Sequence, residues 1–377
     1  MSWLVWTPAA VAVLAVAAEL AARAWLRRSG RYYVWPPFAR LHMTTDREAV
    51  PELEPVIRIE FNRDGERGGP PPEDAQATYR VLVAGGSVAE CWFLDQASAW
   101  PQVIERSLNS APALARLGVA RVHVGNIGRS LVACEHVDRM LERVLPRYNR
   151  LDTIVLMVGA SDLVHWLEKG TPARIDRDDI PLDALFSQHP EGPFGWTPHT
   201  LALRRVASAA VRRLLRPVGR RRNVGRRISR ARDARNRATE TIGQVPDPSP
   251  MLDRFESHLR SLLATARKGA KRVLVARQPW LEKEFTPEEE KRLWMFGAGR
   301  IHADRVHAYY AHELVWGLMR QVDERVVRVT RELGVEAIDL MPVVPPTFDL
   351  WYDEMHHTAE GCGRIGAALA RAILDGA

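Results

Sequence analysis

Apolar residues along most of the chain follow two alternating patterns. Short, nearly continuous apolar runs appear at "RVLVAG" (80–85), "ARVHVGNIG" (120–128), "LDTIVLMVGAS" (151–161), "KRVLVARQP" (271–279) and "GVEAIDLMP" (334–342). Runs of this length, rich in valine and isoleucine, predict strands buried on both faces. Between and after them, apolar residues recur every three to four positions. These stretches are "ASAWPQVIERSLNSA" (97–111), "ACEHVDRMLERVLPRY" (133–148), "MLDRFESHLRSLLATARKGA" (251–270), a long segment from Ala303 to Leu333, and "TAEGCGRIGAALARAILDG" (358–376). That period predicts amphipathic helices. Strands alternating with helices predict a parallel sheet covered on both sides, a three-layer α/β/α, flavodoxin-like fold of five parallel strands.

Three stretches break the rhythm. From Trp3 to Leu26, "WLVWTPAAVAVLAVAAELAARAWL" is apolar except for Glu19 and Arg23. About 20 apolar residues suffice to cross a bilayer, so residues 1–30 are expected to form an N-terminal transmembrane anchor, with Arg23 reaching for the interface. A cleaved signal peptide is the rival, with the alanines around Ala15 to Ala18 as its cleavage site, but no lysine or arginine precedes the apolar run. Residues 31–78, rich in arginine, proline and acids, read as a juxtamembrane connector with little core of its own. The domain proper then covers 79–377, with an insertion at about 163–250. Fourteen arginines and one acid, Asp233, lie between Arg204 and Arg237 of that insertion. Val206, Val211, Leu214 and Leu215 among them suggest an apolar stripe that rests on anionic lipid. A solvated face is the plainer alternative, and nucleic acid ranks last because no aromatic residues interleave.

The chemistry gathers at the strand ends. "AGGS" ends the first strand at Ser87, "GNIG" the second at Gly128, and "GASD" the third at Ser161 and Asp162, while "YDEMHHTAEG" (352–361) precedes the last helix. Loops at the carboxyl ends of parallel strands share one edge of the sheet, so residues 87, 128, 161 and 353–356 are expected to converge.

These four blocks resemble the SGNH, or GDSL-type, hydrolases. That family carries a serine after the first strand, a glycine after the second, G-x-N-D after the third and D-x-x-H near the C-terminus. Here they correspond to Gly85-Gly86-Ser87, Asn126-Ile127-Gly128, Gly159-Ala160-Ser161-Asp162 and Asp353-Glu354-Met355-His356. "FNRDGERG" (61–68) is similar to the N-x-x-G-x-R lead-in of many membrane-associated members. The resemblance covers about 79–162 and 251–377. It implies a catalytic Ser87, His356 as its base and Asp353 orienting that base. It also implies an oxyanion hole built from the Ser87 and Gly128 backbone N–H groups and the side chain at 161. Two blocks depart from the pattern. Gly86 replaces the aspartate of the family's name, and Ser161 replaces an asparagine whose amide donates to the oxyanion; a hydroxyl can also donate but is shorter. Asp162 is expected to fix its loop. His357 is the adjacent rival base, but the spacing to Thr358 and Gly361 favours His356, which leaves His357 as a surface or supporting residue.

The function expected from these residues is a membrane-anchored serine esterase or deacylase acting on an ester or O-acylated carbohydrate or lipid. O-acyl transfer to a polysaccharide by the same triad is the alternative. A catalytically weak binding or scaffold protein, motivated by Ser161, is a rival of another class. No cofactor and no metal is called for. His302, His307 and His312 recur every five residues, about 140° apart per step on a helix, and so share no face. Asp176, Asp178 and Asp179 lack the glycine and glutamate of a calcium loop. Cys91, Cys134 and Cys362 lie too far apart in sequence to suggest a disulfide framework. The net charge of +7 comes largely from the arginine-rich stretch. Arg27, Arg28, Arg31 and Arg40 follow the apolar segment, and this leans the domain to the cytoplasmic side. The family resemblance leans it outside, where anchored members work on envelope polysaccharides.

Overall fold

The computed structural model describes residues 3–74, 76–148, 151–174, 180–192, 196–221, 224–301 and 306–376. His302 and Asp176, Asp178 and Asp179 lie outside the described residues. The strands in chain order are β1 (Arg40–Thr44), β2 (Val56–Glu60), β3 (Thr78–Gly85), β4 (Arg121–Asn126), β5 (Thr153–Met157), β6 (Val218–Arg221), β7 (Glu240–Ile242), β8 (Arg272–Arg277), β9 (Ala308–Tyr310) and β10 (Glu336–Asp339). The helices are α1 (Trp3–Ser29), α2 (Ser87–Glu90), α3 (Trp100–Leu108), α4 (Ala111–Leu117), α5 (Cys134–Val144), α6 (Ala160–Glu168), α7 (Leu182–Leu185), α8 (Ala202–Leu215), α9 (Arg226–Asn236), α10 (Ser249–Gly269), α11 (Pro287–Glu290), α12 (His312–Leu333) and α13 (Ala359–Asp375).

The five expected strands form one parallel sheet in the order β10-β8-β5-β3-β4. Counting only these five, the order is 2-1-3-4-5, the flavodoxin-like arrangement. Side chains alternate across the sheet. Leu82, Ala84, Ile154 and Leu156 join the core shared with α5, α6, α10 and α12. Val81, Val83, Val155 and Met157 join the core shared with α3 and α13. The switch point of the topology falls between β3 and β5, the strands that end beside Ser87 and Ser161. In open α/β sheets this is where a crevice opens.

Two expectations need correction. Residues 31–78 carry a core of their own: β1 and β2 pair antiparallel, β6 joins β1 in parallel, and Met43, Ile57, Ile59 and Phe61 are buried beneath. The exposed–buried alternation of Val56-Ile57-Arg58-Ile59-Glu60 is a strand signal that the surrounding prolines and charges mask. The long helix expected from Ala303 begins only at His312, because Ala308–Tyr310 pairs with β7 as β9. His312 opens α12 and its Nε2 lies 3.1 Å from Arg235 Nη2, so its partner is an arginine. Among the described residues no cluster of three or more metal-ligating side chains occurs.

The arginine-rich insertion divides into two parts. On α9, Arg232 is buried and donates to the carbonyls of Ala49, Arg292 and Tyr352, so it braces the domain from inside. On α8, Leu214 and Leu215 are exposed, whereas Val206 turns away from them and packs with Ala22 and Leu26 of α1. The expected stripe therefore loses Val206.

Candidate active site

The strand-to-helix turn after β3 explains the double glycine. A Cβ at Gly85 would lie 2.2 Å from the Met157 carbonyl oxygen of the neighbouring strand. A Cβ at Gly86 would lie 2.7 Å from Ser161 Oγ. The two departures from the family pattern are therefore adjacent in space, and the missing side chain at 86 makes room for the hydroxyl at 161. Ser87 follows as the first residue of α2.

The last block folds against this turn. Thr358 Oγ1 accepts from the Gly361 N–H and caps α13, and Gly361 sits so close to Leu350 that a Cβ would come within 2.3 Å of its carbonyl oxygen. This fixes the loop that carries Asp353 and His356. Ser87 Oγ lies 2.8 Å from His356 Nε2, and His356 Nδ1 lies 2.9 Å from both Asp353 carboxylate oxygens. Asp353 is fully buried and also accepts from the Met355 and His356 N–H groups, each at 2.8 Å. Burial alone would raise its pKa, but the His356 charge and these donors hold it below the usual carboxylate value. Burial alone would likewise lower the pKa of His356, but the Asp353 carboxylate and its hydrogen bond turn the shift upward. The rings of Tyr352 and Trp294 lie nearly parallel to the imidazole, with centroids 5.5 and 6.3 Å away.

A pH dependence follows from these shifts. A histidine acting as base must be neutral, so kcat/KM should rise with pH along a limb set by His356 in the free enzyme. Because its pKa is raised, the midpoint should lie above 6.5, the ordinary histidine value. Asp353→Asn removes the charge that raises it, so the limb should move to lower pH as the rate drops. A pH–rate profile of both proteins checks this; an unmoved limb would dissociate Asp353 from the titrating group.

The other expected residues fall into place unequally. Gly128 reaches the site, but its N–H is donated to Asn126 Oδ1 at 2.7 Å and so is already engaged. What the position requires is close approach, because a Cβ there would lie 2.6 Å from the Glu90 backbone nitrogen. Asp162, in the first turn of α6, holds a different element from the expected loop: both carboxylate oxygens accept from the Cys134 N–H at the start of α5. Burial pushes its pKa up to about 7. His357 is not on the surface. It is 2% exposed, its ring lies 4.1 Å from that of Trp351, and burial followed by the charge of His356 brings its pKa down to about 3. It is held neutral in the core, with neither ring nitrogen hydrogen-bonded.

Several supporting residues were not assigned roles from sequence. Arg67, buried in the lead-in motif, donates to the carbonyls of Glu90, Cys91 and Leu94 just past the Ser87 turn. Asn126 Nδ2 donates to the Ala89 carbonyl, and Glu90 accepts from the N–H and hydroxyl of Ser130. Glu354, next to Asp353, accepts from the Trp294 and Met295 N–H groups and pairs with Arg235 at 3.5 Å. The lead-in motif and the Asp-Glu pair were the available signals. A cavity of about 40 Å³ lies elsewhere, lined by Glu135, His136, Asp162, Arg254 and His258 among others, and includes no member of the Ser87–His356–Asp353 chain.

No protein-family model matches the chain, and no curated protein matches it significantly. Among solved structures it is similar to Axe2, an acetylxylan esterase from Geobacillus stearothermophilus, at 14% identity and a TM-score of 0.40, over 78% of this chain and 94% of that one. It is similar to a member of the lipolytic protein G-D-S-L family from Veillonella parvula at 9% identity and a TM-score of 0.41, over 78% and 97% of the two chains. A putative lipolytic protein of the G-D-S-L family from Desulfitobacterium hafniense aligns at 10% identity and a TM-score of 0.38, over 78% and 98%. In the order of its sequence blocks, the 2-1-3-4-5 sheet and the Ser87–His356–Asp353 chain they fold into, this protein resembles the SGNH/GDSL-type hydrolases.

Proposed function

We propose that this chain is a membrane-anchored serine esterase or deacylase of the SGNH type. The observation that carries the reading is the unbroken hydrogen-bond chain from Ser87 Oγ through His356 to the buried Asp353. Ser87 Oγ attacks the carbonyl carbon of an ester while His356 Nε2 takes its proton. The carbonyl oxygen becomes an oxyanion that accepts from the Ser87 N–H and the Ser161 hydroxyl, which lies beside Gly86 at this turn. His356 then gives its proton to the departing alcohol as the C–O bond breaks, leaving an acyl-Ser87. Water, deprotonated by His356, attacks that acyl group and releases the acid and Ser87. Asp353 holds Nδ1–H toward itself throughout, which keeps Nε2 free to accept and stabilises the imidazolium. The anchor in this reading is α1, whose segment Pro8–Ser29 is long and apolar enough to cross a bilayer.

A serine-directed fluorophosphonate tests the reading. It should phosphonylate the full-length protein, and peptide mapping should place the adduct on Ser87 alone. Labelling elsewhere, or none at a concentration that saturates a known serine esterase, would reject Ser87 as an activated nucleophile.

A further inference from the structure

The first charged residues of α1, Glu19 and Arg23, also mark where the rest of the protein grips it. From Pro8 to Ala17 every described side chain of α1 is exposed. From Glu19 onward, the face formed by Glu19, Ala22 and Leu26 is buried. The Glu19 carboxylate accepts from the first two N–H groups of α8, Ala202 at 3.0 Å and Leu203 at 2.9 Å, and from Arg23 Nε at 2.7 Å. A carboxylate in an apolar run is thus satisfied as the N-terminal cap of another helix. Ala202 and Val206 then pack on Ala22 and Leu26. The start of α8 is therefore fixed to α1 at Glu19, directly after the exposed apolar run 8–17, within the stretch Pro8–Ser29 that is long and apolar enough to cross a bilayer.

Another face of α8 has little cover among the described residues. Leu203, Val211, Leu214 and Leu215 are 41, 46, 78 and 74% exposed. Their spacing of eight, three and one residues places them on one side of a helix. Exposed arginines flank them at 204, 213, 216 and 220. Trp25 and Trp196 are exposed near the clamp, with the Arg23 guanidinium 4.7 Å from the Trp196 ring centre. Tryptophan and arginine together are what the boundary between hydrocarbon and headgroups selects.

We infer that α1 and α8 form one clamped unit and that the exposed face of α8 rests on an anionic lipid bilayer, its leucines among the acyl chains and its arginines on the lipid phosphates. The occupant is assigned from two observations: α8 is bolted by Glu19 to the candidate span, and apolar side chains interleaved with positive charge match an anionic interface. The inference rests on the reading of α1 as an anchor and is independent of any catalytic step. A bilayer that contains α1 meets α8 as well, and the domain is held against the membrane surface instead of swinging on a linker.

The test uses the full-length protein in nanodiscs. An environment-sensitive fluorophore is attached at Leu203→Cys or Leu215→Cys, with Arg371→Cys on α13, which packs on the opposite face of the sheet from the Tyr32 cluster, as control; the native Cys91, Cys134 and Cys362 are buried. Labels at 203 and 215 should be quenched by lipids brominated on their acyl chains. The quenching should be greater in discs containing phosphatidylglycerol than in phosphatidylcholine alone, and the label at 371 should not be quenched in either. Solvent-like emission at 203 and 215 would overturn the inference. So would blue-shifted emission without quenching, which would assign the face to a protein partner, or quenching that is the same in both discs.

Discussion

Ser87→Ala and His356→Ala should each lower kcat/KM on a short acyl ester by a factor of about 10⁴ or more, with the fold intact. Ser87 Oγ is paired to His356 Nε2, and removing it leaves no core cavity because the residue is only half-buried at the start of α2. Combining the two substitutions should cost little beyond either alone, since nucleophile and base act as one unit. His357→Ala is the discriminating control. His357 is buried against Trp351 and bonded by neither ring nitrogen, so its removal should cost stability through lost packing and leave the rate within about tenfold. Initial rates on p-nitrophenyl acetate, with circular dichroism of each variant, separate these outcomes. An inactive, folded His357→Ala beside an active His356→Ala would transfer the base to the neighbouring residue.

Arg67→Met should destabilise the protein by about 3–5 kcal/mol, the scale for removing one partner of a buried charged network. Helix α2 is four residues long, too short to satisfy the carbonyls at its own end. The Arg67 guanidinium does this for it, donating at 2.7 Å to Glu90 O, 2.6 Å to Cys91 O and 2.7 Å to Leu94 O, with Nε on Gln96 Oε1 at 3.1 Å. Methionine fills much of the volume and removes the donor from the Glu90 and Leu94 carbonyls, while Cys91 O keeps only the Leu94 N–H. Lysine should rescue poorly, because one ammonium cannot reproduce a planar fork that serves three carbonyls and a side chain. Urea denaturation of the three proteins measures this. A methionine variant within about 1 kcal/mol of the parent would show that the turn holding Ser87 does not depend on Arg67. Among folded survivors, kcat should fall more than KM rises, because the shift is in the nucleophile's position and not in ground-state binding.

The sheet was legible because its strands are buried on both faces, so local composition reports their environment directly. Asp353 and His356 were legible for a similar reason: they are three residues apart, and their contact is nearly local. The roles of Arg67, Arg232 and Glu354 were not. Each acts on a backbone carbonyl or amide far along the chain, and such a partner leaves no side-chain signature. Gly128 shows that a position in a motif does not report its competing partners, since the neighbouring Asn126 side chain accepts its N–H. Val206 shows the limit of a stripe read by composition. An arginine-rich helix with two faces presents valine and leucine on both, and only the packing on α1 decides which face is covered.

By itself the sequence determined the strand–helix alternation, the parallel sheet with its sites at one edge, and the serine, histidine and aspartate that meet there. These follow from residue periodicity and from the rule that loops at the carboxyl ends of parallel strands share an edge. Tertiary structure put His357 into the core against Trp351 and not on the surface. It placed Ser161 Oγ in the space left by Gly86, folded 31–78 into a second small sheet, and turned Glu19 from a charge in an apolar helix into the cap of α8. The physical reason is common to all four. Each depends on which distant backbone group or side chain fills a particular few ångströms of space, and that is fixed by packing and not by the local pattern of polar and apolar residues.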